Sequence, residues 1–315
     1  MSKYKKIDFS KVKTYSIKQR KSKVELGLLA KTFDPKKDNF GDYINSLPKF
    51  LAVNDLIEFA KLIVKAKKKN KPVIFMIGAH VIKVGLSPIL IDLMKNDFIS
   101  AIAMNSAGAI HDSELAFFGK TSEDVAAGIT DGSFGMAKET GEFINSTLTK
   151  YEHSNVGYGE ALAIEMKLQK AKNRKVSLIY NAYELDKPVT VHAAIGTDIT
   201  HQHPNVNGSA IGKLSLNDFQ IFTEVVSRLG NGGVVANIGS NVILPEVFLK
   251  ALTIARNLGY KVFNFTTANF DFIQHYRPRV NVVQRPTQDG GKGFMFTGHH
   301  EIMIPLLSAM IKYYA

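Results

Sequence analysis

The sequence predicts an α/β protein with a mainly parallel sheet and helices on both faces, and three observations predict it. Short, continuous apolar runs such as PVIFMIGA and VVANIGS look like strands buried on both sides. Between them lie segments of roughly 10–15 residues with apolar positions at helical spacing. Glycine, histidine and other polar residues gather where the apolar runs stop, the rim at which open parallel sheets bind ligands.

In chain order, residues 1–45 read as a basic, irregular N-terminal extension, and residues 46–315 as one α/β domain. Apolar residues at Leu56, Phe59, Leu62 and Ile63 predict a helix over 54–69, with Asn54 as its cap. PVIFMIGA is the first strand, LSPILIDLMKND a helix, and SAIAMNSAGAIHD a second strand running into a small-residue loop. Residues 159–172 are helical, and VSLIYNAYEL fits either helix or strand. PVTVHAAIGTD is a strand entering a polar loop, and residues 215–229 form a helix closed by the turn at Gly230. VVANIGS, the helix PEVFLKALTIARNLG and the strand KVFNFTT complete the alternation, with Pro245 in a first turn and Gly259 at a C-terminus. Such alternation implies βαβ units.

Composition narrows the function. The 315 residues include no cysteine, so disulfides and thiolate metal sites are excluded. No run approaches the ~18 apolar residues of a membrane span, and the basic start lacks the apolar core of a secretory signal, so a cytoplasmic protein is expected. The formal charge is +12, but residues 1–23 hold nine Lys or Arg against one Asp. The excess is therefore largely that extension, and the basic run from Lys65 to Lys71 reads as a solvated helix end rather than a nucleic-acid groove.

The chemistry falls at the strand ends. Gly78, Gly239, Thr267 and Gly298 belong to segments whose small residues let backbone amides approach an anionic group. Neither GxGxxG nor a Walker loop is present. Of nine histidines, eight lie in or beside these segments: His80, His111, His192, His201, His203, His275, His299 and His300. Carboxylate neighbours, as in His111-Asp112 and His300-Glu301, can fix a tautomer for proton transfer. An equally open reading gives His201, His203, His299 and His300 to a divalent metal. Asp112, Glu246, Asp271 and Glu301 are candidates to hold a cationic substrate, with His111 or His299 moving protons and Arg277 as an anion clamp.

On these residues the chain resembles deoxyhypusine synthase and its bacterial relatives, over roughly residues 72–315. NSAGAIHDSE is similar to that family's alanine-glycine loop at the nicotinamide, which implies cofactor contacts by Ser106, Ala107 and Gly108. PVTVHAAIGTDIT resembles its threonine-aspartate loop and places Thr197 and Asp198 at cofactor positions; GSNVILPEVFLKALTIARNLGYKVFNFTTANFD ends the likeness of the next strands at Asp271. FTGHHEIMIPLL is similar to the closing motif. The resemblance implies a Rossmann-like sheet, bound NAD, and a homo-oligomer, dimer or tetramer, with sites between subunits. It further implies NAD-dependent oxidation of an amine carbon followed by transfer of the alkyl-amine through a lysine.

The departures point away from deoxyhypusine synthesis itself. The family lysine follows tryptophan and glycine; this chain has no tryptophan and shows Val283, Gln284, Arg285 and Pro286 there. Arginine stays protonated and forms no imine. Lys292 is the nearby lysine that could serve, Glu246 stands where the family has a histidine, and Arg279 or Val280 where it has an acid. The sequence therefore leaves three readings: an NAD-dependent enzyme acting on a small polyamine-like cation, a metal-dependent enzyme, or a non-catalytic nucleotide-binding scaffold.

Overall fold

The computed structural model describes residues 2–315. The chain divides into two compact units, Met1–Asn54 and Asp55–Ala315. In the first, residues up to 39 form two short 3-10 turns and extended chain, with Tyr4, Ile7, Phe9 and Tyr15 exposed. Helix α1 (Phe40–Ser46) starts at Asn39, whose side chain accepts from the Asp42 amide while Asp42 accepts from the Asn39 amide. Helix α2 (Leu51–Lys68) begins before Asn54, so that residue lies inside the helix and is not its cap; its side chain donates to the Lys49 carbonyl at 2.9 Å.

The second unit is a six-stranded, wholly parallel sheet. Its strands are β1 (Val73–Ile77), β2 (Ala101–Asn105), β3 (Val189–His192), β4 (Val234–Ile238), β5 (Thr266–Asp271) and β6 (Lys292–Thr297). They lie in the order β3-β2-β1-β4-β5-β6, the doubly wound arrangement in which the winding reverses between β1 and β4. The strand expected at Lys261 starts five residues later, at Thr266, and β6 was not anticipated.

Helices α3 (Ala79–Lys83), α4 (Ser87–Lys95), α5 (Ser106–Phe118), α6 (Val125–Asp131), α7 (Lys138–Tyr151), α8 (Tyr158–Leu168) and α9 (Leu178–Glu184) fill the first half. Helices α10 (Gly208–Ser227), α11 (Ile243–Asn257) and α12 (His300–Tyr314) belong to the second. The expected small-residue loop after β2 is in fact the opening of α5, because Asn105 caps it by accepting from the Gly108 amide at 3.1 Å. The Arg- and Pro-rich stretch is a π-helix, Pro278–Gln284.

Side chains alternate across each strand, so both faces of the sheet need cover. Ile74 and Met76 of β1 pack with Phe222 of α10 and Phe248 of α11. Across the sheet, Phe59 of α2 meets Phe270, Phe294 and Phe296, each at 5.7 Å between ring centres.

One buried acid ties the layers together. Asp218 of α10 accepts from the amides of Gly159 (2.9 Å) and Val191 (2.6 Å), joining α8 to β3. Burial pushes its carboxyl up to about 8 from an ordinary 3.8. Asp218 therefore favours the fold most below about pH 4, and that contribution is lost as the pH rises toward 8. Urea midpoints should fall over this range, and Asp218→Asn, which keeps an oxygen for both amides, should flatten the decline.

Candidate active site

A cavity of about 710 Å³ opens beside the carboxyl ends of β2 and β3. One wall is a single face of α5: Ala107, Ile110, His111, Glu114 and Phe118 recur at helical spacing and all line it. Opposite are Phe134 and Ala137 ahead of α7, Thr140 within it, and Thr197, Asp198 and Ile199 after β3. Lys83 of α3 and Lys120, Thr121 and Glu123 of the turn after α5 complete the lining.

His111 is held in a defined tautomer. The Thr121 hydroxyl donates to Glu114 Oε2 at 2.5 Å and stands 2.6 Å from His111 Nδ1. Since that hydroxyl has one hydrogen, Nδ1 donates to it and the neutral ring keeps its lone pair on Nε2. Thr140 donates to the other Glu114 oxygen at 2.9 Å, so the carboxylate is fixed at both ends. Burial lowers the His111 pKa below 6.5; Glu114 opposes this and the Lys83 charge adds to it. The ring is therefore a neutral proton acceptor at neutral pH.

Asp198 forms the far end. Ser106, the first residue of α5, donates to it, which sets a carboxylate at a helix N-terminus. Burial raises its pKa, against the Ser106 hydrogen bond and the His201 charge. His201 Nδ1 accepts from the Gly196 amide at 3.1 Å, and Nε2 lies 3.9 Å from Asp198.

A second polar group occupies the rim where the winding reverses. The Gly78 amide donates to the Ile238 carbonyl at 2.8 Å, pressing the loops after β1 and β4 together. A Cβ on Gly78 would stand 2.1 Å from the Gly239 oxygen, and one on Gly239, at φ 67°, would stand 2.6 Å from His300 Nε2. The His300 ring lies 6.1 Å from that of His80. Asn237 Oδ1, Asp271 Oδ2 and His300 Nδ1 are buried without a hydrogen-bond partner. Helix α3 serves both places, carrying His80 to this rim and Lys83 to the cavity.

Several expected site residues are engaged elsewhere. Asp112 is fully buried under α9, accepting from Ser177, the Leu178 amide (2.7 Å) and the Ile179 amide (3.2 Å). Burial pushes it up to about 6, and its task is to cap α9 rather than to meet substrate. Lys292 starts β6 and pairs with Glu58 at 2.6 Å, so it lies at the amino end of the sheet, roughly 16 Å along the strand from the rim, and cannot replace the missing lysine. Thr267 is likewise the second residue of β5, near the strand's amino end rather than at the carboxyl rim. Glu246 is neutralised by Lys250 and by Arg277 at 3.3 Å, which removes one as a cation holder and the other as a free anion clamp.

His299 and Glu301 face solvent, with His299 stacked on Phe272 at 6.0 Å; neither lines the cavity. His203 Nε2 donates to the Gly135 carbonyl at 2.8 Å, and His192 is buried with its pKa lowered to about 3. The Gly108 amide is spent on Asn105, leaving Ser106 and Ala107 at the free end of α5. Gly298 follows β6, its amide on the Asp271 carbonyl at 3.2 Å. Among the described residues, no three His, Asp or Glu side chains gather as a metal site, so His201, His203, His299 and His300 are not brought together.

The missed residues are Glu114, Thr121, Thr140, Glu139, Lys83 and Lys120. Glu114 was legible, since it lies three residues after His111 on the same helical face. The others come from polar segments without periodicity.

Sheet order defines an α/β protein of the Rossmann-like class, with its candidate site at the carboxyl ends of the strands. No protein-family model and no curated protein matches the chain. Solved structures do. A protein of Methanococcus maripaludis S2 described as LOR/SDH is 16% identical, with a TM-score of 0.51 over 82% of this chain and 69% of that one. AgrE in its ternary complex with ornithine and NAD+ is 12% identical, with a TM-score of 0.53 over 82% of this chain. The chain spans about a third of the length of AgrE (33%). A protein of Entamoeba histolytica described as a deoxyhypusine synthase is 11% identical over 89% of this chain and 96% of that one, with a TM-score of 0.49. At these identities, the likeness to the M. maripaludis protein and to AgrE is one of fold alone. Among the described residues, no helix is long and apolar enough to cross a membrane.

Proposed function

We propose that the chain is an NAD-dependent enzyme that oxidises or transfers the amine-bearing part of a small cationic substrate. The observation that carries this reading is the His111–Thr121–Glu114 relay, which opens on the same cavity as the Asp198–Ser106 pair. The fit to a dinucleotide rests on this chain's own groups. The N-terminus of α5 offers the Ser106 and Ala107 amides to phosphate, and Asp198 is a carboxylate suited to ribose hydroxyls. The orphaned Asn237, Asp271 and His300 atoms at the rim call for a polar partner. AgrE, which shares the fold, is known in complex with NAD+ and ornithine, and this supports the same choice.

When bound, a nicotinamide would supply a hydride acceptor. Glu139, on the cavity lining, attracts the substrate ammonium into the cavity. His111 Nε2 takes the proton from that nitrogen, while Glu114 and Thr121 hold the ring's orientation and tautomer. Deoxyhypusine synthesis is not part of this proposal, because Arg285 stands at the family lysine and Lys292 is remote. The cytoplasmic location and the homo-oligomer belong to the same reading, the latter to be measured by light scattering.

The test is direct. Protein purified without added ligand should release a nicotinamide dinucleotide, or its melting temperature should rise on adding NAD as mass action requires. Asp198→Asn should weaken that rise. Absence of both the released cofactor and the thermal shift would overturn the reading.

A further inference from the structure

We infer that residues 120–134 are a hinged lid over the cavity and that Thr121, which the lid carries, is a positioning residue: it holds the His111 ring in its proton-accepting form only while the lid is shut. The bearing of this on turnover rests on the preceding reading of the cavity as an active site; the hinge and the tautomer do not.

The segment holds to itself rather than to the body. Asp124 caps α6 by accepting from the Ala127 amide at 3.2 Å, and the Phe134 amide returns to the Gly128 carbonyl at 3.0 Å. A Cβ on Gly128 would stand 2.9 Å from the Phe134 backbone, so the two halves of the segment touch and move as one piece. Glu123 accepts from the Gly135 amide at 3.0 Å and clasps the outgoing chain to the returning chain. Among the described residues, no hydrogen bond or ion pair joins residues 122–134 to anything outside 122–136. Of residues 119–134 only Gly128 is buried, and Val125 and Ile129, one turn apart on α6, are 45% and 65% exposed. A helix with so little packed surface opens at low cost.

Left-handed glycines stand at both roots. Gly119 ends α5 at φ 68° and Gly135 leads toward α7 at φ 78°, a conformation that bends the chain without side-chain strain. The return root is pinned, since His203 donates to the Gly135 carbonyl at 2.8 Å. Beyond Gly119 the outgoing root is tied to the body through the Thr121 hydroxyl, which donates to Glu114 and accepts from His111 Nδ1. Val125 and Phe134 line the cavity, so lifting the segment uncovers it and withdraws Thr121 in one movement. Without that hydroxyl, His111 Nδ1 faces Glu114 across 3.9 Å, too far for a direct hydrogen bond, and neither tautomer is selected. Closure therefore excludes water and sets the base together.

The test needs no ligand. Hydrogen exchange of the 122–134 amides reads the lid, and nitrogen-15 shifts of the His111 ring read its tautomer, both on the full chain without NAD or amine. Glu123→Ala removes the clasp and leaves Thr121, Glu114 and His111 in place. Exchange across 122–134 should quicken about tenfold or more while α5 and α7 keep their rates, and the Nδ1-protonated signature should give way to a mixture. Glu123→Gln, which keeps an oxygen for the Gly135 amide, should restore both. Thr121→Val should lose the fixed tautomer and Thr121→Ser should keep it. Glu123 is exposed and Thr121 only half-buried, so folding should survive, and circular dichroism checks it. Wild-type exchange in Glu123→Ala overturns the lid, and a wild-type tautomer in Thr121→Val overturns the positioning role. Both results as expected, with no thermal shift on adding NAD, would support the lid and sink the NAD-enzyme reading alone.

Discussion

Replacing His111 with glutamine is expected to lower turnover by about 10²–10⁴-fold while leaving the melting temperature nearly unchanged. The ring is partly exposed at the cavity wall, and its burial holds the pKa below the ordinary 6.5. As a base it must be neutral, so activity should persist from neutral pH down past the usual imidazole range and fail only in more acid solution. Glu114→Gln should move that acid limb to lower pH, because it removes the negative charge that favours the protonated ring. Nicotinamide absorbance with a small cationic amine as substrate provides the rate. A His111→Gln enzyme with wild-type turnover would remove the ring from the chemistry.

Gly78→Ala should cost about 3 kcal/mol of stability, lowering the melting temperature by roughly 6–12 °C. The added methyl would stand 2.1 Å from the Gly239 carbonyl oxygen. Both contacting groups are backbone, held by ladders on either side, since Val73 to Ile77 pair with Val234 to Ile238 in register. No side chain can swing away, so the loops must separate. The same movement would shift Gly239 against His300 and should weaken the NAD response as well. Differential scanning calorimetry measures the first effect and NAD titration the second.

Much of the sheet could be read from residues alone, because VIFMI and VVANI are buried on both faces and carry that burial as uninterrupted apolar runs. The beginning of α5 was hidden. Ser106, Ala107, Gly108 and Ala109 show no apolar periodicity, and the helix is declared only by the Asn105 cap. Reading those residues as loop made Asp112 the natural partner of His111. On a helix the next residue is turned about 100° away, and Asp112 falls under α9 while Glu114 shares the His111 face. Lys292 was chosen for nearness in sequence, which a strand converts into distance along the sheet. Residues 119–137, which form much of the cavity's other wall, are polar and glycine-rich and carry no period at all.

The pairing of β1 with β4 has a consequence for synthesis on the ribosome. Val73 waits for Val234, which lies 161 positions later (234 − 73). At about 5–20 residues per second, one flank of VIFMI stays without its neighbour for roughly 8–32 s after it is made. A bare apolar strand edge is a template for association with other nascent chains. Slower elongation or depletion of trigger-type chaperones should therefore drive this protein into inclusion bodies before it affects the folded product.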